Sequence, residues 1–320
     1  MKIGIIGTGA MASFFAARLN PVAQIVMIGT WQAQIDAINQ NGLTLLDLDG
    51  RETQHHFVAT ADPTTVGPVD VALVLTKSYQ TIEAVERVER VLAPDGVVVT
   101  LQNGLGNLEE FVAVFGRHHC TAGIISLGAT LMHPGYVRHA GAGTVHLGIP
   151  TDAPKHLTQF AHRLKMAGVP LQPVEEVVSL LWSKVAINAG INPLTALFNV
   201  PNGQLATDDT LRPIMVAAAQ EAAAVATALN VTLTYEDVST EIVRIATATA
   251  TNRSSMLQDV TRGAPTEIDA ICGAVVRIGR KTAIPTPVNA VLYNAIIDLE
   301  SGKPPNISIK QLQLLANLLQ

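Results

Sequence analysis

Met1–Ala12, M-K-I-G-I-I-G-T-G-A-M-A, is the stretch that decides the fold. Met1–Ile6 is a short apolar run with strand character. It passes through Gly7, Thr8, Gly9, Ala10, Met11 and Ala12 into a helical pattern that lasts to Leu19. Strand, glycine turn and helix in that order make a dinucleotide-binding turn. Gly7 permits the tight turn, Gly9 lets the backbone approach a pyrophosphate, and Ala12 lets helix and strand pack closely. The free N–H groups and the dipole at the helix start favour phosphate. The plain alternative is a tight turn with no ligand. A glycine pattern lying directly after a strand favours the first reading.

Working outward, the second strand is expected at Gln24–Ile28. The residue after such a strand reads the adenosine ribose, with an acid for NAD and an arginine for NADP. Here Gly29-Thr30-Trp31-Gln32 supplies neither. Thr30 and Gln32 can hydrogen-bond either form, so the 2′-phosphate question stays open. Leu43–Leu46 and Gln54–Val58 flank the Asp49-Gly50 turn and read as a hairpin. Asp70–Thr76 is a buried strand by composition, and Lys77 follows its end, where open α/β sheets place ligands. A helix is expected over Thr81–Leu92, then a strand over Gly96–Leu101 followed by Gln102-Asn103-Gly104. Lys77 and Asn103 are thus expected near the glycine turn. Taken singly they read as a surface lysine and a turn former. Thr121–Gly148 is rich in glycine and β-formers, and the spacing of His133, His139 and His146 does not match a zinc site. A helix over Pro154–Met166 and a strand over Val169–Gln172 complete a doubly wound, mostly parallel sheet over residues 1–174.

From residue 175 to 320 the pattern is all helical: Glu175–Phe198, Leu211–Leu229, Glu236–Thr251, Thr266–Lys281, Thr286–Asp298 and Ser308–Leu319. Trp182–Thr195, W-S-K-V-A-I-N-A-G-I-N-P-L-T, reads as helix until Pro193 interferes. Lys184, Asn188 and Asn192 fall at i, i+4 and i+8 on one side of it. Polar groups on a mostly apolar helix are costly unless something polar meets them. A ligand with a carboxylate and a carbonyl or hydroxyl would do so, and so would solvent or a carboxylate elsewhere in the chain. Ser255 reads as a helix cap. Glu267 and Asp269 read as first-turn acids of a helix opened by Pro265 or Thr266.

The 320 residues suit two domains, and 48% hydrophobic residues with only 4% aromatics give an aliphatic core. A net charge of -5 without a basic stripe argues against nucleic acid as a partner. Cys120 and Cys272 read as core residues rather than nucleophiles, and fit a reducing compartment. No signal-peptide pattern is evident, and Gln220 and Glu221 interrupt the apolar stretch Ile214–Leu229. A soluble cytoplasmic protein is expected. Ile214–Leu229 is either a core helix or part of a homodimer interface.

G-T-G-A-M-A at 7–12, Lys77, Q-N-G at 102–104, W-S-K-V-A-I-N-A-G-I-N-P-L-T-A at 182–196, P-N-G at 201–203, S-S-M-L-Q-D at 254–259 and T-E-I-D at 266–269 together resemble the ketopantoate reductase (2-dehydropantoate 2-reductase) family. The glycine turn alone is generic, whereas the lysine-asparagine helix and S-S-M-L-Q-D are specific. The resemblance implies a Rossmann domain followed by a helical domain of the 6-phosphogluconate dehydrogenase type. It implies NADPH-dependent reduction of 2-dehydropantoate, a small 2-oxo acid, to (R)-pantoate on the way to pantothenate and coenzyme A. By position it implies that Lys184 is the general acid, and that Asn188, Asn192, Asn202 and Ser255 hold substrate. It puts Asn103 beside both nicotinamide and substrate, with Lys77 and Glu267 on the cofactor side. The family's arginine after the second strand is replaced by Thr30 or Gln32, so NAD also enters as a cofactor. Two other readings are a related reductase of another 2-oxo or 3-hydroxy acid, and a silent dinucleotide-binding regulator.

Overall fold

The computed structural model describes residues 1–305 and 307–317. The chain divides into two compact units, residues 1–102 with 107–177, and residues 103–106 with the chain from Val178 onward.

The first unit alternates strand and helix: β1 (Lys2–Ile6), α1 (Ala10–Leu19), β2 (Gln24–Ile28), α2 (Gln32–Asn41), β3 (Leu43–Leu46), β4 (Glu52–His55), β5 (Val58–Thr60), β6 (Val69–Val74), α3 (Thr81–Glu89), β7 (Leu92–Thr100), α4 (Asn107–Phe115), β8 (Cys120–Ile125), β9 (Gly128–His133), β10 (Tyr136–Gly141), β11 (Val145–Gly148), α5 (Lys155–Met166) and β12 (Leu171–Val174). Eight strands form the main sheet in the order β12-β11-β8-β7-β6-β1-β2-β5. The run from β5 to β8 is parallel, and β11 reverses against β8. Such strands are covered on both faces, which is why β1, β2 and β6 are near-continuous aliphatic runs. Ile6 pairs with Ile28 and with Val74, so three chains leave the sheet at one level. Phe14, Phe15 and Leu19 of α1 pack into the aliphatic core with Ile3, Ile5, Leu73 and Phe160.

A second sheet, β4-β3-β10-β9, contains the expected hairpin, but its second arm is Glu52–His55. Val58 belongs instead to β5, the edge of the main sheet beside β2. Other boundaries also differ. Leu92 opens β7 rather than closing α3, and β12 begins two residues later than the apolar run suggests. Helices α2 and α4 were not expected; α2 buries only Gln34, Ile35 and Ile38, too little for a clear apolar period. His139 is tied to Asp47, whose carboxylate also binds Arg18 and is held down to about 2 despite its burial by the His139 and Leu48 hydrogen bonds and Arg18.

The second unit is helical: α6 (Val178–Phe198), α7 (Asn202–Thr207), α8 (Leu211–Ala228), α9 (Val238–Ala248), α10 (Ser255–Thr261), α11 (Ala274–Thr282), α12 (Pro287–Glu300) and α13 (Ile309–Asn317). Leu319, the expected end of the last helix, lies outside the described residues. Thr266–Lys281 is not one helix: a π-type turn over Asp269–Gly273 precedes α11. α6 does not stop at Pro193 but continues to Phe198. Proline there removes the N–H that would bond the carbonyl of Ala189. The Cys272 thiol donates to that carbonyl at 3.7 Å. Both cysteines are buried and free, and burial pushes both thiols up, Cys120 to about 12.

α8 is a core helix of this unit, with Ile214, Met215, Ala218, Ala222 and Val225 all buried. The residues that interrupt its apolar run reach other helices. Gln220 donates to Ser239, while the Glu221 carboxylate accepts from the N–H groups of Val288 and Asn289 at 2.8 Å, capping α12. No helix among the described residues is long and apolar enough to cross a membrane.

Candidate active site

In the first unit the glycine turn is built from the sheet upward. Gly7 adopts φ +127°, and its N–H donates to Ile28 O at 2.7 Å. A β-carbon there would lie 3.1 Å from the backbone of Leu75, so glycine is required twice over, by conformation and by space. Gly9 caps α1, and a β-carbon on it would meet nothing within 4 Å. The first turn of α1 has no acidic residue and no side-chain cap, which leaves the N–H groups of Ala10, Met11 and Ala12 without intrahelical partners. These features fit the pyrophosphate of a dinucleotide: an open approach, free donors and the positive end of a dipole. Thr8 and Ala12 are buried, while Ala10 and Met11 are partly exposed.

Lys77 follows β6 in extended conformation and is half-buried. Next to it, Gln102 does work that its sequence does not advertise. Its buried amide donates to Thr76 Oγ1 at 3.1 Å, to the Lys77 carbonyl at 3.3 Å and to Thr81 Oγ1 at 3.0 Å. It thereby pins the chain on either side of Lys77 to the end of β7.

Residues 103–106 belong to the second unit, where Leu105 N–H donates to Ala270 O at 2.9 Å and Gly104 turns against Ala270. Asn103 Nδ2 donates to Glu267 Oε2 at 3.0 Å. Glu267 is buried, 5% exposed, and acts electrostatically on Lys184. Burial pulls the Lys184 ammonium down to about 8, while the Glu267 charge opposes that fall. Lys184, Glu267 and Asn103 therefore form one constellation. Asn188 and Asn192 continue along the same side of α6, Asn192 being buried.

The remaining two expected residues are placed differently. Asn202 opens α7 and is buried; its Nδ2 donates to Thr249 Oγ1 at 2.9 Å, and its Oδ1 meets no donor. Ser255 is exposed on the first turn of α10 and does not cap it. Ser254 is the cap: its hydroxyl accepts from Leu257 N–H at 3.0 Å and pairs with Thr195 of α6 at 2.6 Å. Asp269 pairs with Arg277 at 2.7 Å.

A glycine turn that fits a dinucleotide in one unit and, in the other, a half-buried lysine under the charge of a buried carboxylate are features of a nicotinamide-dependent oxidoreductase. The chain belongs to the ketopantoate reductase family. The family model described as ketopantoate reductase PanE/ApbA matches residues 3–151, and its C-terminal model matches residues 176–300. The 2-dehydropantoate 2-reductase of Archaeoglobus fulgidus is 33% identical, over 94% of this chain and 98% of that protein. The crystal structure of a PanE/ApbA family ketopantoate reductase from Ralstonia eutropha superposes with a TM-score of 0.87 at 30% identity, covering 94% of this chain and 99% of that one. A D-mandelate dehydrogenase solved with NADH and anilino(oxo)acetate shares the fold, with a TM-score of 0.85 at 24% identity over 94% and 99% of the two chains.

Proposed function

We propose that this chain reduces 2-dehydropantoate to pantoate, with Lys184 as the proton donor, on the route to pantothenate. The observation that carries the reading is Lys184 itself: a half-buried lysine, brought to about 8 and under the charge of the buried Glu267 carboxylate, on a helix whose same side presents two amides. Perturbed groups of this kind collect at active sites. The dinucleotide, which the resemblance gives as NADPH, would supply the hydride when bound; Gly7–Ala12, Lys77, Asn103 and Glu267 are the residues proposed to hold it.

A 2-oxo acid needs a proton for its ketone oxygen and a clamp for its carboxylate. At neutral pH a lysine near 8 is mostly protonated, so its ammonium can hydrogen-bond the oxygen, stabilise developing negative charge and give up a proton. Asn188 and Asn192 are proposed to orient the substrate from the next two turns of α6. Asn202 and Ser255 are proposed to hold substrate as the resemblance implies, Ser255 through an exposed hydroxyl. Glu267 keeps Lys184 charged, and Asn103 holds Glu267.

The test is oxidation of reduced dinucleotide by the purified protein with 2-dehydropantoate. Lys184→Ala is expected to lose about 10²-fold or more in kcat/KM. Near-normal turnover in that variant removes Lys184 from the reaction. Dinucleotide binding without turnover on 2-dehydropantoate redirects the assignment to another 2-oxo acid or to a regulator.

A further inference from the structure

Rossmann sites read the adenosine ribose just beyond the second strand, where an acceptor suits a free diol and an arginine suits a 2′-phosphate. We propose that this chain selects NADH over NADPH, because the turn after β2 and the start of α2 present hydrogen-bond acceptors and a carboxylate with no cation among them. The proposal rests on the dinucleotide reading of the glycine turn, and it departs from the reductant that the family resemblance implies.

Three observations carry it. First, residues 29–41 contain one charged side chain, Asp36, and no lysine or arginine. Second, Gln32, at the start of α2, donates its amide N–H to Asp36 Oδ1 at 2.7 Å. That bond engages one of the two amide N–H groups and holds the amide beside the carboxylate, so the group carries no positive charge and its oxygen remains an acceptor. Both groups are exposed, as a ribose-reading site must be. Third, Gly29 has no room for a side chain: a β-carbon there would lie 2.5 Å from Thr8 Cγ2. A cation therefore cannot be delivered from position 29.

The cations that could substitute are placed elsewhere. Arg18 stands in the last turn of α1, at the end opposite the glycine turn, with its guanidinium 2.7 Å from Asp47. The Arg51 backbone carbonyl accepts from Asp47 N–H at 2.9 Å, which holds the chain at Arg51 in the turn beside Asp47. Lys77 follows β6, which is separated from β2 by β1. At the usual strand spacing that places the two strand ends about 10 Å apart. A 2′-phosphate carries about −1.5 to −2 charge near neutral pH. It would meet a carboxylate and an amide oxygen instead of the forked donors that phosphate recognition uses. A neutral 2′,3′-diol donates to those same acceptors.

The experiment is direct binding by isothermal titration calorimetry, with NADH and NADPH titrated separately into the intact protein without substrate. NADH is expected to bind about tenfold or more tightly than NADPH, and the gap is expected to narrow as salt screens the repulsion. The double variant Gln32→Arg with Asp36→Asn supplies a guanidinium that no carboxylate absorbs. It is expected to gain about tenfold for NADPH and to change by less than about threefold for NADH. NADPH binding as tight as NADH in the unaltered protein overturns the proposal while leaving the dinucleotide reading intact. Binding of neither overturns both.

Discussion

Lys184 is set between two opposed influences, and each can be removed separately. Burial lowers its pKa to about 8, and Glu267 pulls it back up. The protonated form is the donor, so kcat/KM for reduction should hold steady at neutral pH and fall as pH rises through about 8. Glu267→Gln removes the charge that favours the ammonium. The falling limb should then move to lower pH, read from a pH–rate profile, while Asn103→Ala, which keeps the carboxylate, should leave the limb near its original place. A limb unmoved by Glu267→Gln would show that the carboxylate does not govern the lysine. The helical spacing of Lys184, Asn188 and Asn192 was legible in the sequence, because polar residues one turn apart on an apolar helix stand out. Their link to Asn103 and Glu267 was not, since those two meet although 164 positions apart in the chain. Nor was the choice between Ser254 and Ser255: either serine can cap, and only the fold of α10 decides.

At the scale of elements, α6 is the helix against which the second unit is assembled, and Gly190 sets how closely its neighbours approach. A β-carbon on Gly190 would run into the carbonyl oxygen of Met215 on α8 and Cδ1 of Ile242 on α9. Alanine gains about 1 kcal/mol in helix propensity over glycine. Overpacking a well-filled contact costs about 1–3 kcal/mol, and a backbone oxygen gives way less readily than a side chain. Gly190→Ala should therefore destabilise the protein, seen as a lower urea midpoint; a raised midpoint would mean that α8 can shift. Glu221 offers a second case. Its two oxygens accept from Val288 N–H, Asn289 N–H and Asn289 Nδ2, all at 2.8 Å, although burial raises its pKa. Glu221→Gln replaces one acceptor by an NH₂ group that faces donors. A cost of about 1–3 kcal/mol is expected in equilibrium unfolding. The sequence marked Glu221 as an interruption of an apolar helix, but the helix it caps lies 67 residues further on. The passage of α6 through Pro193 was likewise hidden, because the thiol that meets the freed Ala189 carbonyl comes from Cys272.

For the molecule as a whole, the order of strands and helices was legible because each strand of the parallel sheet is a short aliphatic run between turns. Strand ends were less legible where chain passes between sheets, as at Val58, since neighbouring strands rather than local pattern decide which sheet a residue joins. The two glycines of the turn allow folding to be separated from ligand binding. Gly7 is held at φ +127° with backbone 3.1 Å from its would-be β-carbon, so Gly7→Ala should lower stability without any ligand present. Gly9 faces open space, so Gly9→Val should leave the melting temperature of the free protein close to its original value. That space is where the pyrophosphate is proposed to approach. In the unaltered protein, dinucleotide at 100 times its Kd should stabilise the folded state by about 2.7 kcal/mol and raise Tm. Gly9→Val should abolish most of that rise. The pair of melts discriminates because a turn with only a structural role predicts the opposite: a Gly9→Val protein that is either destabilised from the start or fully responsive to dinucleotide.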